Sequence, residues 1–260
     1  MKLTLSYDKS VHANAARYYE LAKESREKAA GLENAIKETE KELEKAKKGK
    51  KKEVRRKREK EWYEKFHFAS TSAGKLMLGG RNAQQNDLLF AKHLDDADLF
   101  FHADIQGASA VVLKGGAELL GEGVPRQELA EAAQFAASFS KAWINGNAGV
   151  DVYAVLKSQL SKHSSGGFIP SGAFAISGER TWFRDTKLAL RLGIKDGKPV
   201  LVPDVSPTKL EQALILVPSQ AGKEKGALAR SLAKRFGVHP DELLELLPNG
   251  RTKTIDTPGQ

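Results

Sequence analysis

Hydrophobic residues in the first quarter of the chain recur at alternating steps of four and three. The series is Tyr18, Ala22, Ser25, Ala29, Leu32, Ile36, Thr39, Leu43 and Ala46. This heptad spacing of small or apolar residues, with charged residues between them, predicts one long helix over residues 11–47. A second helical stretch over residues 50–66 has fewer such positions. We therefore expect an N-terminal coiled-coil hairpin that pairs either within the chain or with a second copy.

Beyond residue 62 the pattern changes to short apolar runs separated by turn residues. Strands are predicted at residues 75–78, 98–104, 107–116, 150–157, 172–178 and 213–219. Helices are predicted to begin at Asn82, to run from Pro125 to about Trp143, and to close the chain at 225–238 and 239–247.

Strands and helices mix in this region without a regular βαβ alternation. That order favours an α+β fold, in which a mixed or antiparallel sheet is covered by packed helices. We divide the chain into a helical arm at residues 1–61 and an α+β domain at residues 62–260. Residues from about 205 to 260 are expected to form a C-terminal extension packed on that domain.

The segment LMLGGRNAQQNDLL passes from a predicted strand through two glycines into a predicted helix. Asn82 suits the N-cap and Gln85 the third helical position, which is the capping-box arrangement. Such a turn can bind phosphate through backbone N–H groups, and Arg81 adds a forked charged donor. Alternatively, Gly79 and Gly80 serve a tight turn that needs positive φ. The segment is neither a Walker loop nor GxGxxG, so no nucleotide cofactor is predicted.

His102 and Asp104 lie two positions apart, so both side chains share one face of a predicted strand. The pair can orient a base or bind a metal. A metal site needs a third and a fourth ligand, and no residues occur at a spacing typical of such ligands, so no metal is predicted. A hydrolase would use His102 as base, Asp104 as its orienting partner and Ser109 as the nominal nucleophile. Alternatively, Asp104 caps a turn and His102 is an ordinary sheet histidine, or these residues make polar contacts to RNA.

The segment KSQLSKHSSGG places Lys157, Lys162 and His163 among serines beside a glycine turn. Hydroxyl, ammonium and backbone N–H groups of this kind are common donors to phosphate oxygens. The alternative is an ordinary polar loop. The three residues are therefore candidates for contact with a nucleic-acid backbone.

In the segment GERTWFRD, Arg180 and Arg184 flank Trp182 and Phe183. Aromatic rings between cations can stack on unpaired bases. The alternation of a strand also places one ring in the core, and Trp182 is the better candidate for that position. The two arginines are candidates for RNA contact in either case.

Charge is concentrated in one short segment. The net charge is +9, and residues 41–60 carry twelve Lys and Arg against four Glu. A focused basic segment attracts polyanions and releases counterions on contact. The alternatives are a solvated helix tip and a site for an acidic protein. The candidate RNA-binding residues at this tip are Lys50, Lys51, Lys52, Arg55 and Arg56.

Composition excludes several classes of site. The chain has no cysteine, which rules out disulfides and thiolate metal centres. No apolar run approaches the ~20 residues that span a bilayer, and the N-terminus has no signal-peptide core. We expect a cytoplasmic protein that does not contact membranes.

Taken together and in this order, several stretches resemble the C-terminal half of the NFACT proteins. They are SVHANAARYYELAKE, WYEKFHF, GGRNAQQN, FHADIQGAS, EAAQFAASFSKAW, QLSK and SGAFAISGER. Members of that family combine an NFACT-N domain, a helix–hairpin–helix, a coiled-coil arm and an NFACT-R domain proposed to bind RNA. The resemblance covers the coiled-coil arm and the NFACT-R part of that plan.

The resemblance implies a non-enzymatic protein that acts in ribosome-associated quality control. Its expected partners are large-subunit ribosomal RNA, tRNA or both. Two rival functions stay open. The first is a coiled-coil scaffold, which forms either a homodimer or an assembly with a separate NFACT-N-type protein. The second is a hydrolase acting on RNA or tRNA esters.

Overall fold

The computed structural model describes residues 4–8, 10–48, 61–121, 126–162 and 169–256. They belong to two compact units, Met1–Glu59 and Lys60–Gln260, which we describe separately. In the first unit, helix α1 spans Val11–Lys48, which confirms the long helix predicted over residues 11–47. Leu32 and Ile36 on its apolar seam are 65% and 56% exposed, and the coiled-coil pairing stays a prediction.

The second helix predicted over residues 50–66 is wrong at its C-terminal end. Trp62–Lys65 form a single 3-10 turn, and an extended strand begins at His67. Residues 49–60, which hold the rest of that helix and the basic tip, lie outside the described part of the chain.

The second unit contains twelve strands within its described residues. They are β1 (His67–Ser70), β2 (Leu76–Gly79), β3 (Leu99–Ala103), β4 (Val111–Leu113), β5 (Gly149–Leu156), β6 (Leu160–Ser161), β7 (Ala175–Ile176), β8 (Thr181–Lys187), β9 (Leu190–Lys195), β10 (Lys198–Pro203), β11 (Glu211–Lys223) and β12 (Thr252–Asp256). Helices α2 (Ala83–Lys92), α3 (Gln127–Ser138), α4 (Lys141–Asn145), α5 (Lys225–Phe236) and α6 (Pro240–Leu246) connect or follow them.

The strands form three antiparallel sheets. A six-stranded sheet has the order β1-β2-β4-β3-β5-β8, a four-stranded sheet has the order β10-β9-β11-β12, and β6 pairs with β7. The α+β fold class predicted from the sequence is confirmed. Strand β11 pairs with β9 on one side and with β12 on the other, so the C-terminal segment supplies strands to the second sheet.

The six-stranded sheet has a different layer on each face. On one face, Leu99, Phe101 and Ala103 of β3 pack with α3 and with residues of the second sheet in the larger hydrophobic core. On the other face, Phe100 belongs to a smaller core with Leu89 of α2. We call these the closed face and the open face. Their alternation along β3 follows from the two-residue period of a strand.

The helix predicted from Pro125 to about Trp143 is divided in two. Helix α3 ends at Ser138, and α4 begins at Lys141. The Ser140 hydroxyl accepts a hydrogen bond from the Ala142 N–H and so caps the second helix. Trp143 is fully buried, and its indole N–H donates to the Thr252 hydroxyl. The division therefore lets α4 turn inward onto β12, a strand that the sequence pattern did not predict.

Candidate nucleic-acid interface

The glycine pair that follows β2 makes room for an asparagine side chain. A Cβ on Gly80 would lie 2.1 Å from Asn86 Oδ1. The Asn86 carboxamide bonds to the Ala110 N–H at 3.0 Å and to the Ala108 carbonyl at 3.4 Å. Gly79 is tight against Phe135, at 3.3 Å from a built Cβ. Neither glycine has positive φ, so the alternative of a tight turn that needs positive φ is wrong, and close packing requires the two glycines.

Arg81 is bound by carbonyl groups of the chain itself. Its Nη2 donates to the Phe66 carbonyl at 2.9 Å and to the Glu245 carbonyl at 3.1 Å. Burial lowers the pKa of Arg81, although the neighbouring Glu245 carboxylate opposes the change. Its side chain ties the residue before β1 to α6, so any part it plays in anion binding must come through Nε or Nη1.

The N-terminus of α2 is capped by Asn82, as predicted. Asn82 Oδ1 accepts from the Gln85 N–H at 2.9 Å. The reciprocal bond of a capping box is absent at this helix, because Gln85 Oε1 accepts from the Arg81 N–H at 3.0 Å instead. Gln85 Nε2 donates to the Lys65 carbonyl. Asn82 and Gln85 thus fix the β2–α2 turn and hold it against the 3-10 turn that ends at Lys65.

His102 lies on the open face, and Asp104 follows the end of β3. Burial lowers the pKa of His102, while the carbonyls of Ala103 and Ala108 and the Asp104 carboxylate oppose the change. The imidazole is therefore neutral at pH 7. The Ser109 hydroxyl is buried and donates to the Gly80 carbonyl at 2.6 Å. Because that hydroxyl is already bonded, the geometry gives the hydrolase hypothesis no free nucleophile at Ser109.

Three aromatic side chains form a row across the open face, which we call the aromatic strip: His102, Tyr153 and Trp182. Register places His102 opposite Tyr153 and Tyr153 opposite Trp182. The ring centroids are 5.7 Å and 5.4 Å apart along the row. The strip thus crosses β3 and β5 and ends on β8, an edge strand of the sheet.

Two guanidinium groups lie over the aromatic strip. Arg180 is 4.7 Å from the centre of the Tyr153 ring, and Arg184 is 4.0 Å from the centre of the Trp182 ring. Both arginines are exposed, and Trp182 is half-buried rather than fully in the core. Arg184 also pairs with Asp151 at 2.6 Å. The sequence prediction that cations and rings interleave here agrees with this geometry.

Lys162 and Asp87 hold residues 171–174 against α2. The Lys162 ammonium pairs with Asp87 and lies 4.1 Å from the centre of the Phe174 ring. Asp87 also accepts from the Ser171 hydroxyl and the Gly172 N–H. Burial would raise the pKa of Asp87, but these hydrogen bonds outweigh it, and the pKa is lowered.

The remaining predicted cations are less informative. Lys157 is half-buried and lies 3.8 Å from the Asp96 carboxylate. His163 and the basic tip residues lie outside the described part of the chain. The tip residues are Lys50, Lys51, Lys52, Arg55 and Arg56.

A cavity of about 480 Å³ opens between the β2–α2 turn and the aromatic strip. Its walls include Asn82, His102, Ser109 and Tyr153, so the structure brings together candidate residues from two distant segments. Phe174 forms part of another wall. The volume lies in the range of small-molecule sites, ~300–1,000 Å³. The lining mixes rings with hydrogen-bonding groups, as a site for a nucleobase requires.

Sequence reasoning missed two residues of this site. Tyr153 was part of a predicted strand, and its alternation there could have placed its ring on the face opposite to Val152 and Ala154. Lys141 lines the cavity from the start of α4, and no sequence signal connects it to the β2–α2 turn. No group of three His, Asp or Glu side chains is placed to hold a metal within the described residues. No helix in the same residues is both long and apolar enough to cross a membrane.

Residues 65–178 match the family model described as the NFACT protein RNA binding domain. The chain is 36% identical over 213 residues to the archaeal Rqc2 homolog aRqcH of Methanocaldococcus jannaschii, covering 79% of this chain and 31% of that protein. It is 32% identical to the ribosome quality control complex subunit NEMF homolog of Drosophila melanogaster, covering 71% of this chain and 19% of that protein.

The ribosome quality control complex subunit NEMF of Homo sapiens is 30% identical over 186 residues, covering 69% of this chain and 17% of the human protein. The chain thus spans less than a third of the length of each of these relatives. The match to the domain model covers the β2–α2 turn, His102 and Tyr153, and it ends before Arg180, Trp182 and Arg184. The chain therefore belongs to the NFACT family, over part of the length of its relatives.

Proposed function

We propose that the second unit binds RNA by stacking unpaired bases on the aromatic strip. The observation that carries this proposal is the row of three rings that runs from β3 to the edge strand β8. Arg180 and Arg184 lie over Tyr153 and Trp182, and a 480 Å³ cavity borders the row. The description of the matching domain model supports the same class of ligand.

The chemistry of the strip suits single-stranded rather than duplex RNA. Every base has a flat face, so stacking on the half-buried Trp182 tolerates any sequence and is worth about 1–3 kcal/mol per base. The guanidinium groups over the aromatic strip can stack on a base or pair with the adjoining phosphate. His102 is neutral and lines the cavity, so it can hydrogen-bond a base edge.

The names of the relatives support a role at the ribosome. We propose that the bound RNA is large-subunit ribosomal RNA, tRNA or both, which would place the protein in the cytoplasm. The basic segment at residues 41–60 would add a second contact that weakens with salt. A separate NFACT-N-type protein, or a second copy joined through α1, would be the partner of the arm.

The test is binding of a labelled single-stranded RNA of about ten nucleotides, measured by fluorescence anisotropy. Trp182→Ala should weaken binding by about 5- to 150-fold, the equivalent of one lost base stack. The matched control is Lys198→Ala, which removes an exposed cation from β10 on the other sheet. That control should bind within about twofold of the parent chain, because only non-specific charge is lost.

Cosedimentation with purified large ribosomal subunits tests the choice of RNA. Replacing Lys50, Lys51, Lys52, Arg55 and Arg56 by alanine should reduce cosedimentation and its dependence on salt. Unchanged cosedimentation would remove the basic tip from the proposal. Equal RNA affinity of Trp182→Ala and Lys198→Ala would remove the aromatic strip.

A further inference from the structure

A second, smaller cavity lies behind the β2–α2 turn. Its volume is about 70 Å³, and His67, Arg81, Ser138 and Lys141 contribute to its walls. Ring stacking on Phe139, with centroids 4.1 Å apart, fixes His67 in place. The cavity therefore has a rigid wall built from β1, α3 and α4.

Three buried polar atoms on this wall have no hydrogen-bond partner among the described residues. They are His67 Nδ1, Arg81 Nε and Ser138 Oγ. His67 is 5% exposed and Ser138 is 0% exposed. An unsatisfied buried polar group costs about 1–3 kcal/mol, so three on one small wall indicate a ligand or ordered water.

The charge around the cavity is positive. Arg81 and Lys141 line it, and no carboxylate of the described residues does. Lys225 adds a third cation: its ammonium donates to Asn249, which is also on the wall. Burial and the nearby Arg81 charge lower the pKa of Lys225 to about 8. The acidic neighbour that acts on Arg81 is Glu245. This arrangement favours an anion over neutral water.

The small cavity adjoins the larger one. Both are lined by Arg81, Gly107, Ser109 and Lys141. We propose that the small cavity binds the terminal phosphate of an RNA strand whose end base occupies the 480 Å³ cavity, an inference that rests on the proposed function. The phosphate oxygens accept from Arg81 Nε and the Ser138 hydroxyl, and the Lys141 ammonium supplies charge at the shared wall.

The volume of the small cavity favours a terminal phosphate over an internal one. The smaller cavity, at about 70 Å³, has room for a phosphate group but not for a nucleoside on each side of it. An internal phosphodiester needs the chain to leave in two directions. A terminal monoester needs one exit, and the wall shared with the larger cavity provides it. Free inorganic phosphate has the same chemistry, so the test separates the two sources.

The experiment uses the whole chain and two readouts. Thermal unfolding is followed in sodium phosphate and in sodium chloride of equal ionic strength. Anisotropy then compares RNAs of one sequence that end in 5′-phosphate, in 3′-phosphate or in hydroxyl groups. Phosphate should raise the unfolding midpoint in a saturable manner. One phosphorylated RNA should bind about tenfold more tightly than the hydroxyl RNA, since charged hydrogen bonds are gained.

Two variants remove the site without removing the fold. Ser138→Ala deletes a hydroxyl that has no partner within the described residues, and Lys141→Met keeps the aliphatic stem that packs on Gly107. Ser138→Ala should abolish the tenfold preference while leaving affinity for the hydroxyl RNA unchanged. Lys141→Met should also abolish the preference, and it should weaken binding of the hydroxyl RNA as well, because Lys141 lines the larger cavity too. Lys198→Met is the control for loss of one exposed charge.

The outcomes distinguish an RNA end, free phosphate and water as occupants of the small cavity. An unfolding midpoint that phosphate does not raise, with no preference for either RNA end, would assign water to the cavity and overturn the proposal. A midpoint raised only by free phosphate, without an end preference, would overturn the RNA assignment. If no RNA binds at all, the proposed function fails, while a phosphate effect that requires Ser138 would show that the cavity still takes the anion.

Discussion

The two faces of the six-stranded sheet use aromatic residues in different ways. On the closed face, Phe101 of β3 and Phe135 of α3 are completely buried in the core that the second sheet also lines. On the open face, α2 and the β6–β7 pair leave Trp182 half-buried at the edge. Strand β3 supplies both faces, because Phe101 and His102 are neighbours in sequence and alternate in direction. Incomplete coverage, rather than composition, therefore separates the open face from the core.

The largest expected effect is on the closed face. Phe101→Ala should lower the free energy of unfolding by about 3–5 kcal/mol, because it leaves a cavity in a fully packed core. Chemical denaturation measures this change. Trp182→Ala should give the opposite pattern, with a much smaller loss of stability and a large loss of RNA affinity. Similar stability losses in both variants would show that the open face is core as well.

The next largest effect concerns Gly80, in the turn between β2 and α2. Gly80→Ala places a methyl group against Asn86 and breaks its bonds to Ala108 and Ala110. We expect a loss of about 1–3 kcal/mol from overpacking, measured by denaturation. Gly226→Ala on α5 is the control, since its nearest neighbour atom is Arg230 Nη1 at 3.8 Å. That control should be stabilising by about 0.5–1 kcal/mol, and a loss like that of Gly80→Ala would contradict the packing argument.

The elements of this fold were easier to predict from sequence than its contacts. A short apolar run indicated β3, period-two alternation indicated β5, and the side-chain chemistry of Asn82 indicated the start of α2, because these signals are local. Arg81 was predicted to face phosphate, but its Nη2 bonds the Glu245 carbonyl, 164 positions away in sequence. No local pattern encodes such a contact.

The same limit applies to the small cavity. Its unpartnered atoms come from β1, the β2–α2 turn and α3, which only tertiary packing brings together. Sequence identified the rings and cations of the aromatic strip, since Arg180, Trp182 and Arg184 lie within five positions. It did not identify Tyr153, whose place in the strip depends on strand pairing.

A smaller effect tests the partly buried ammonium group of Lys225, at the start of α5. The pKa of Lys225 is about 8 in the fold against 10.5 ordinarily. Between these values the unfolded chain binds more protons, so stability should rise with pH. Lys225→Met should be more stable than the parent chain at pH 7. The expected gain in the free energy of unfolding is about 1 kcal/mol, because solvent screens part of the charge. This advantage should shrink from pH 8 to 10.5 in denaturation series, and an advantage that is constant over that range would contradict the shift.

The smallest effect distinguishes the two arginines of the open face. Arg184 already pairs with Asp151 at 2.6 Å, whereas the ring contacts of Arg180 are to Tyr153 and Trp182. Arg180→Ala should therefore weaken RNA binding by about two- to fivefold, the value of one exposed cation–π or phosphate contact. It should also flatten the slope of log affinity against log salt by about 0.7, as one phosphate contact to a single strand predicts. Arg184→Ala should change that slope less, because Asp151 already neutralises the Arg184 charge in the parent chain and leaves it less free to pair with a phosphate. A larger slope change for Arg184→Ala would mean that RNA displaces Asp151, and that the outer end of the strip carries the phosphate contact.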